Sequence, residues 1–525
     1  MKAVFLLALV HAAALAQAPP FKLPPQPAAP QALVTLEALQ LRGNTAIASD
    51  ELLRVAAPYL GRPLDAGDLE SLRLALTARY TDAGYINSGA LIGPQALQGK
   101  VLTIDIHEGR LGQVRVRGMQ GLRDDYLISR LAGDTAVPFN MEVLRERYAL
   151  ALDDPLFQRM HARVVPGAHA GAAILDIDVE RARPWQLSAY ANNYRPPSVG
   201  AAAGGLKGTL RNLSGWGDAL EASLQVPARG SQRPRGSLGW TMPFSGKTSL
   251  NLQWDHGQAS VLEEPLRALD IESKLDSKEI GISHVLVHAL PRKLTLGLSL
   301  GERRNSTTLA GLPFSFTPGE PDGTARVRAW RLWQEGVWRT STQVLALRAT
   351  VISSRNNTRT VDGLPDGGPA LPAQRALIWQ AQGQYLRPLS GNGSALTVRL
   401  NLQWSPHTLV ALDRMALGGV ASVRGYRENQ LVRDRGAAVT VELDVPVASK
   451  GAMQLAVLPF ADAGRAGNRG EPGQSLASLG VGARLRWSAL AIDVAYARRL
   501  LRPGGERGAN LQDRGIHAQV SYRFL

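Results

Sequence analysis

Few side chains in this 525-residue chain stand at spacings that could do chemistry. Ser245-Gly246-Lys247-Thr248 has the tail of a phosphate-cradling loop, but Thr241 stands where the first glycine is required, so the segment reads as a hairpin turn. His284 and His288 have the spacing that shares a metal on a helix. Their context, Ile282 to Leu290, alternates as a strand, where four residues span roughly 13 Å, too far for one ion. His107, His161, His256 and His517 are scattered and read as ordinary strand or loop residues. The absence of cysteine excludes a disulfide scaffold, a thiolate zinc site and cysteine catalysis. No G-x-S-x-G, H-E-x-x-H or catalytic dyad is present, so the expectation is no catalytic residue, no metal and no cofactor. What remains is ionic chemistry. Arg424 lies in Val423-Arg424-Gly425-Tyr426, and Asp462 lies in a Phe460-x-Asp462-x-Gly464 segment. A guanidinium offers five fixed donors, two of which a carboxylate accepts in parallel. Asp462 is two residues from Phe460, so on a strand both point to one face, and the charge makes that face the interior of a barrel rather than lipid. Glycines beside both charges let backbones approach closely.

These residues sit in a region, from about Trp185 onward, whose period is two. Leu294 to Leu300, Trp379 to Tyr385, Leu396 to Trp404, Val439 to Val445 and Ile516 to Phe524 each alternate apolar with polar or small residues. Each run is seven to nine residues, close to the roughly ten with which a tilted strand crosses a bilayer. Connection length separates a membrane barrel from a soluble sandwich. Short turns at Ser245-Gly246, Leu290-Pro291, Ser390 to Gly393 and Ser449 to Gly451 alternate with long polar loops, roughly Gln258 to Ile271, Arg303 to Gly323, Ser354 to Gln374, Pro406 to Gly436 and Gly464 to Gln474. Short turns on one side and long loops on the other mark an outer-membrane barrel. About eleven strands precede the loop at Pro406 and five follow it, so sixteen are expected, an even number that keeps both ends on the periplasmic side.

Met1-Lys2, the apolar run Val4 to Val10 and small residues to Ala18 make a secretory signal peptide (1–18), followed by a proline-rich linker (19–32). Two copies of a βααββ unit are expected next, at 33–109 and 110–183. In the first, Leu33 to Leu41 is a strand, a helix starts at Ser49 as N-cap, a second helix runs Leu69 to Ala83, and Tyr85 to Leu91 and Val101 to His107 close the unit. In the second, Asp124 to Leu131 and Met141 to Leu152 are helical, and His161 to Val165 and Ile174 to Val179 are the closing strands. The fold class is therefore mainly β: a sixteen-stranded antiparallel transmembrane barrel (184–525) behind two small α+β domains. The net charge of +15 points to anionic partners without choosing one, and no compact basic face with stacking aromatics argues for nucleic acid.

Leu417-Gly418-Gly419, the VRGY at 423–426, Asp434-x-Gly436 and the F-x-D-x-G at 460–464, behind two βααββ units, resemble the POTRA-domain barrel superfamily, and within it the two-partner secretion transporters, the TpsB type. That resemblance implies a monomeric outer-membrane protein, embedded in lipid and matured by the barrel-assembly machinery. It secretes, and can activate, a large exoprotein met as an unfolded polypeptide in the periplasm. It further implies that the loop carrying Val423, Arg424, Gly425 and Tyr426 folds into the lumen, where Arg424 meets Asp462 beside Phe460 and Gly464. An unfolded partner is expected to add to exposed strand edges of the POTRA-like units, with Tyr85 and Ile86 on a candidate edge. The alternative in the same superfamily is an outer-membrane assembly or insertion factor; such proteins usually carry more than two POTRA units. A passive porin has no need of the βααββ pair, and a barrel enzyme needs a catalytic constellation that the sequence lacks.

Overall fold

The computed structural model describes residues 34–524 apart from 95, 99, 229–233, 318, 360–369, 390, 503–507 and 509, so the expected signal peptide and proline-rich linker lie outside the described residues. The chain forms two compact units, one ending at Gly109 and one beginning at Arg110.

In the first unit, strand Ala38–Arg42 runs parallel to Val101–His107, which pairs antiparallel with Gly89–Leu91. Helices Ser49–Ala56 and Ala66–Asp82 cover one face. Leu72, Leu76 and Tyr80, four residues apart, meet Leu102, Ile104 and Ile106, two apart, in a dry core. Three details depart from the sequence expectations. The second helix starts a turn earlier because Asp65 caps it, accepting from the Asp68 N–H at 2.8 Å while the Asp68 carboxylate accepts from the Asp65 N–H at 3.1 Å. Ala48 holds the cap position of the first helix, and the Ser49 hydroxyl accepts from Asn44 Nδ2 at 3.0 Å. Tyr85 and Ile86 are not on a strand: Gly84, at φ +91°, turns the chain at the helix end, Tyr85 N–H donates back to Tyr80 O at 2.9 Å, and the strand begins only at Gly89.

The second unit opens with the same order: strand Arg110–Arg117, helices Asp124–Leu131 and Met141–Leu152, then strands Phe157–Pro166 and Ala172–Arg181. Here too the first strand runs parallel to the last, which pairs antiparallel with the one before it. Sixteen antiparallel strands follow, from Trp185–Asn192 to Ile516–Phe524, and the barrel closes by pairing Leu187–Asn192 with Phe524–Gln519. Eleven strands precede the connection 405–434 and five follow it. Side chains alternate between an exposed apolar face and a polar interior: Leu298 and Leu300 are 42% and 37% exposed, whereas Ser299 between them is 5% exposed. Several strands outrun the bilayer. Ile271–Ala289 and Arg292–Leu309 have 19 and 18 residues, so the ladder takes in Gln258 to Ser260 and Arg303 to Leu309 at the edges of the two expected loops.

Short turns gather at one end, against the second α+β domain. Arg123 N–H donates to Gly215 O at 3.0 Å, Asn212 Nδ2 to Gly121 O at 3.2 Å, and Leu290 N–H to Glu146 Oε1 at 3.0 Å. The Arg123 guanidinium lies 4.3 Å from the Trp216 ring centroid. The long connection 405–434 leaves from the opposite end and turns back along the inner wall.

Candidate functional site

The loop 405–434 is built to be buried. It carries a small hairpin, Met415–Leu417 with Leu431–Arg433, whose tip presents Val423 to Tyr426 to the wall. Val423, Leu417, Tyr426 and Leu431 pack with Ala438, Ala466 and Leu476 of the barrel, and Val423 and Tyr426 are fully buried. Gly425 sits at φ +88°, where a Cβ would stand 2.8 Å from that of Ala497, so the close approach requires glycine.

Arg424 is 7% exposed, and every face of its guanidinium is used. Nε and Nη2 donate to the two oxygens of Asp462 at 2.8 and 2.9 Å, and the Arg424 backbone N–H donates to Asp462 Oδ2 at 3.0 Å. Nη1 donates to Glu442 Oε2. The guanidinium carbon lies 3.4 Å from the centroid of Phe460, so one flat cation is stacked on an aromatic and forked onto a carboxylate. Phe460 and Asp462 face inward from strand Met453–Gly467, and Glu442 from the neighbouring Arg435–Lys450, where it stands opposite Phe460. A Cβ on Gly464 would lie 3.1 Å from Ala437 O and 3.2 Å from Val423 Cγ2, so this glycine makes room for the loop.

The motif's backbone is held as well. Gly425 N–H donates to His517 Nε2 of the last strand at 3.1 Å, and Arg499 Nε donates to Gly425 O. The Tyr426 hydroxyl donates to Leu501 O at 2.6 Å and accepts from Ala477 N–H at 3.2 Å. Arg427 forks onto Asp513 at 2.6 and 2.9 Å and reaches Glu263 at 2.9 Å. Lower in the loop, Arg303 of the wall bonds Asp413, and Arg414 bonds the fully buried Asp434 at 3.1 Å. The structure thus brings Val423, Arg424, Gly425, Tyr426, Phe460, Asp462 and Gly464 into one cluster. Tyr85 and Ile86 belong to the other unit: Tyr85 packs edge-on against Tyr80 at 5.8 Å, and Ile86 is 48% exposed.

Sequence reading missed Glu442, His517 and Asp513. Glu442 was visible only as one more polar residue in an alternating run, and strand register alone tells it from Asp444. His517 read as an ordinary strand residue, yet it is 1% exposed under the loop. Two further sequence signals resolve as expected of a barrel wall: Ser245-Gly246-Lys247-Thr248 is a tight turn, and His284 hydrogen-bonds Thr248 Oγ1 at 2.8 Å. Among the described residues no group of histidines and carboxylates is placed to hold a metal ion.

A two-unit chain of POTRA-like modules ahead of a sixteen-stranded barrel, with an arginine loop on the inner wall, defines a class of outer-membrane translocation pore. The profile of the family described as "Haemolysin secretion/activation protein ShlB/FhaC/HecB" matches residues 171–485, and that of the "POTRA domain, ShlB-type" matches 34–109. The chain belongs to this family of two-partner secretion transporters of the outer membrane. It is 23% identical over 416 residues to the heme/hemopexin transporter protein HuxB of Haemophilus influenzae strain 86-028NP, covering 76% of this chain and 70% of that one. It is also 23% identical over 484 residues to the outer membrane transporter CdiB of Dickeya dadantii, covering 88% and 82%. The solved structure of CdiB from Escherichia coli superposes with a TM-score of 0.74 at 19% identity, covering 96% of this chain and 93% of that one, which shows the shared fold.

Proposed function

We propose that this protein secretes one large exoprotein, received unfolded in the periplasm, and that the Arg424 loop is the element that must be displaced for the chain to pass. One observation carries the reading. A loop is fixed on the inner wall by a buried arginine, each of whose three guanidinium nitrogens donates to a carboxylate. Buried ion pairs add little net stability but specify one arrangement, which suits a loop with a defined resting place.

Capture by strand addition needs a free edge. The Gly89–Leu91 edge is taken: the outward-pointing N–H of Ala90 donates to Thr77 Oγ1 at 3.0 Å, and its carbonyl accepts from Arg73. Among the described residues the other sheet edges are Ala38–Arg42 in the first α+β domain and Arg110–Arg117 and Phe157–Pro166 in the second, and these are the edges we assign to the partner.

The test compares proteins in the culture medium of the parent strain, a deletion strain and an Arg424→Ala strain. Loss of one large protein on deletion, and its reduction in the Arg424→Ala strain at normal barrel levels, is expected. Depletion of many outer-membrane barrels would point to assembly instead, and an unchanged medium with the partner expressed would refute secretion.

A further inference from the structure

The barrel wall carries a second organised charge cluster on its outer face, away from the lumen. On the five adjacent strands Ile271–Ala289, Arg292–Leu309, Thr324–Arg339, Val344–Asn356 and Arg375–Pro388, the register places Lys278, Glu302, Arg328, Arg355 and Arg375 side by side in one row. Arg304 and Arg326 stand opposite each other one step further from the turns. All of these face outward. They share parity with Ile280, Leu300 and Trp330, which are 51%, 37% and 52% exposed, whereas the intervening Val327 and Ala329 are buried. The row lies at the long-connection end of the strands, opposite the end that contacts the second α+β domain.

Directly opposed like charges on neighbouring strands are destabilising, yet here Arg328 faces Arg355, Arg355 faces Arg375, and Arg304 faces Arg326. Glu302 is bonded to Arg328 at 2.5 Å and Arg326 at 3.5 Å. Lys278, Arg304, Arg355 and Arg375 form no ion pair among the described residues. Such a row asks for an anion with several charges. Immediately toward the bilayer, Leu238, Leu252, Trp254, Ile280 and Leu300 line an apolar groove of about 910 Å³ whose rim is Asp276, which is bonded to His256, with Lys278, Glu302 and Arg328. Phosphate above and hydrocarbon below is the pattern of a lipid.

We infer that this wall binds a phosphorylated lipid of the outer leaflet, its phosphates on Lys278, Arg304, Arg355 and Arg375 and an acyl chain in the Leu238–Trp254–Ile280–Leu300 groove. Planar guanidinium groups match phosphate oxygens, and a cationic ring just beyond an apolar belt draws anionic lipid heads. The site goes beyond the secretion reading and does not depend on it.

The full-length protein in detergent is titrated with bisphosphoryl lipid A, dephosphorylated lipid A and inorganic phosphate, with bound lipid counted by native mass spectrometry. Arg304→Gln/Arg355→Gln/Arg375→Gln is compared with a control that removes outward arginines from the other wall, Arg465→Gln/Arg498→Gln. A single Arg355→Gln substitution serves if the triple variant loses the heat-modifiable band of a folded barrel. Bisphosphoryl lipid A is expected to bind the parent and the control alike, and the triple variant about tenfold or more weaker. Equal binding of the dephosphorylated lipid, or an unchanged triple variant, would overturn the assignment. Saturation by inorganic phosphate alone, with displacement of the lipid, would overturn the lipid in favour of a simple anion.

Discussion

Asp462 and Glu442 both hold Arg424, but the structure makes them unequal. Asp462 accepts three hydrogen bonds from Arg424, two from the guanidinium and one from the backbone, and is 2% exposed. Among the described residues it has no second cationic partner. Glu442 accepts one bond from Arg424 and keeps Arg399 at 3.3 Å and Arg484 at 3.9 Å. Asp462→Asn breaks a buried pair and leaves donors facing an amide that accepts through one oxygen only. Breaking such a pair costs about 3–5 kcal/mol. Glu442→Gln removes one charge-assisted bond and leaves the fork intact, a loss of about 1.5 kcal/mol. Taken at their lower ends, the substitutions favour the displaced loop by about two powers of ten and about tenfold. The chain has no cysteine, so Val423→Cys introduces a single thiol at a fully buried loop position. When opening is rare and reclosing fast, maleimide labelling of that thiol tracks the open population. Labelling should therefore accelerate about 100-fold with Asp462→Asn and about 10-fold with Glu442→Gln. Equal acceleration by both, or none with Asp462→Asn, would show that the fork does not hold the loop.

Gly425→Ala places a methyl group 2.8 Å from Ala497 Cβ at φ +88°, and a non-glycine residue at positive φ costs about 1–2 kcal/mol before that clash; the Val423→Cys thiol should label faster in this variant while the barrel remains heat-modifiable. Trp216→Ala removes the ring under Arg123, and hydrogen exchange in 119–131 of the full-length protein should rise while exchange in the barrel strands stays unchanged. In the first α+β domain, burial raises the pKa of Glu108, but hydrogen bonds from the Ala46 and Thr45 N–H groups, the Thr45 hydroxyl and the Tyr80 hydroxyl outweigh it and hold the carboxyl below its ordinary value. A depressed carboxyl stabilises above its unfolded pKa, about 4.3, and loses that stability as pH falls through the folded value. Proteolysis of residues 34–109 should accordingly rise below about pH 4, and Glu108→Gln should flatten the dependence while raising cleavage at pH 7.

The barrel was legible because its signal is periodic and repeated. The runs Leu294 to Leu300 and Leu396 to Trp404 fix both the strand and the face it turns to lipid, and connection length fixes which end is which. Arg424 and Asp462 were legible as motifs. Glu442 was not, because its role depends on register: it stands opposite Phe460 only after the turn at 450–453 and a bulge near Pro446 have set the ladder. His517 needed the last strand to be placed beside the loop, since it lies 92 residues from Gly425 in the chain. Asp513 lies in the glycine-rich connection between Arg499 and Ile516, which reads as a loop but gives no sign in sequence that it reaches Arg427. The Tyr85 to Leu91 strand failed for a local reason: an apolar Tyr-Ile pair after a helix-ending glycine reads as a strand start, whereas Gly84 first reverses the chain.

The anchors of the loop are arranged in a sequence. Arg303–Asp413 and Arg414–Asp434 fix the stem, Arg424 the tip, and Arg427 joins the far side of the tip to Asp513 and Glu263. Arg414–Asp434 joins the two ends of the loop and the other pairs tie it to different parts of the barrel, so no single break frees it. Every one is ionic, and a displaced carboxylate in a polar lumen can be re-satisfied by water or by a neighbour. Glu442, already within reach of Arg399 and Arg484, has such neighbours in place. The apolar contacts of Val423 and Tyr426 are lost when the tip leaves the wall, whereas the ionic anchors can be remade with other partners. Charged anchors with standby partners define the resting position closely while keeping the displaced state accessible, which a loop that must move and return requires.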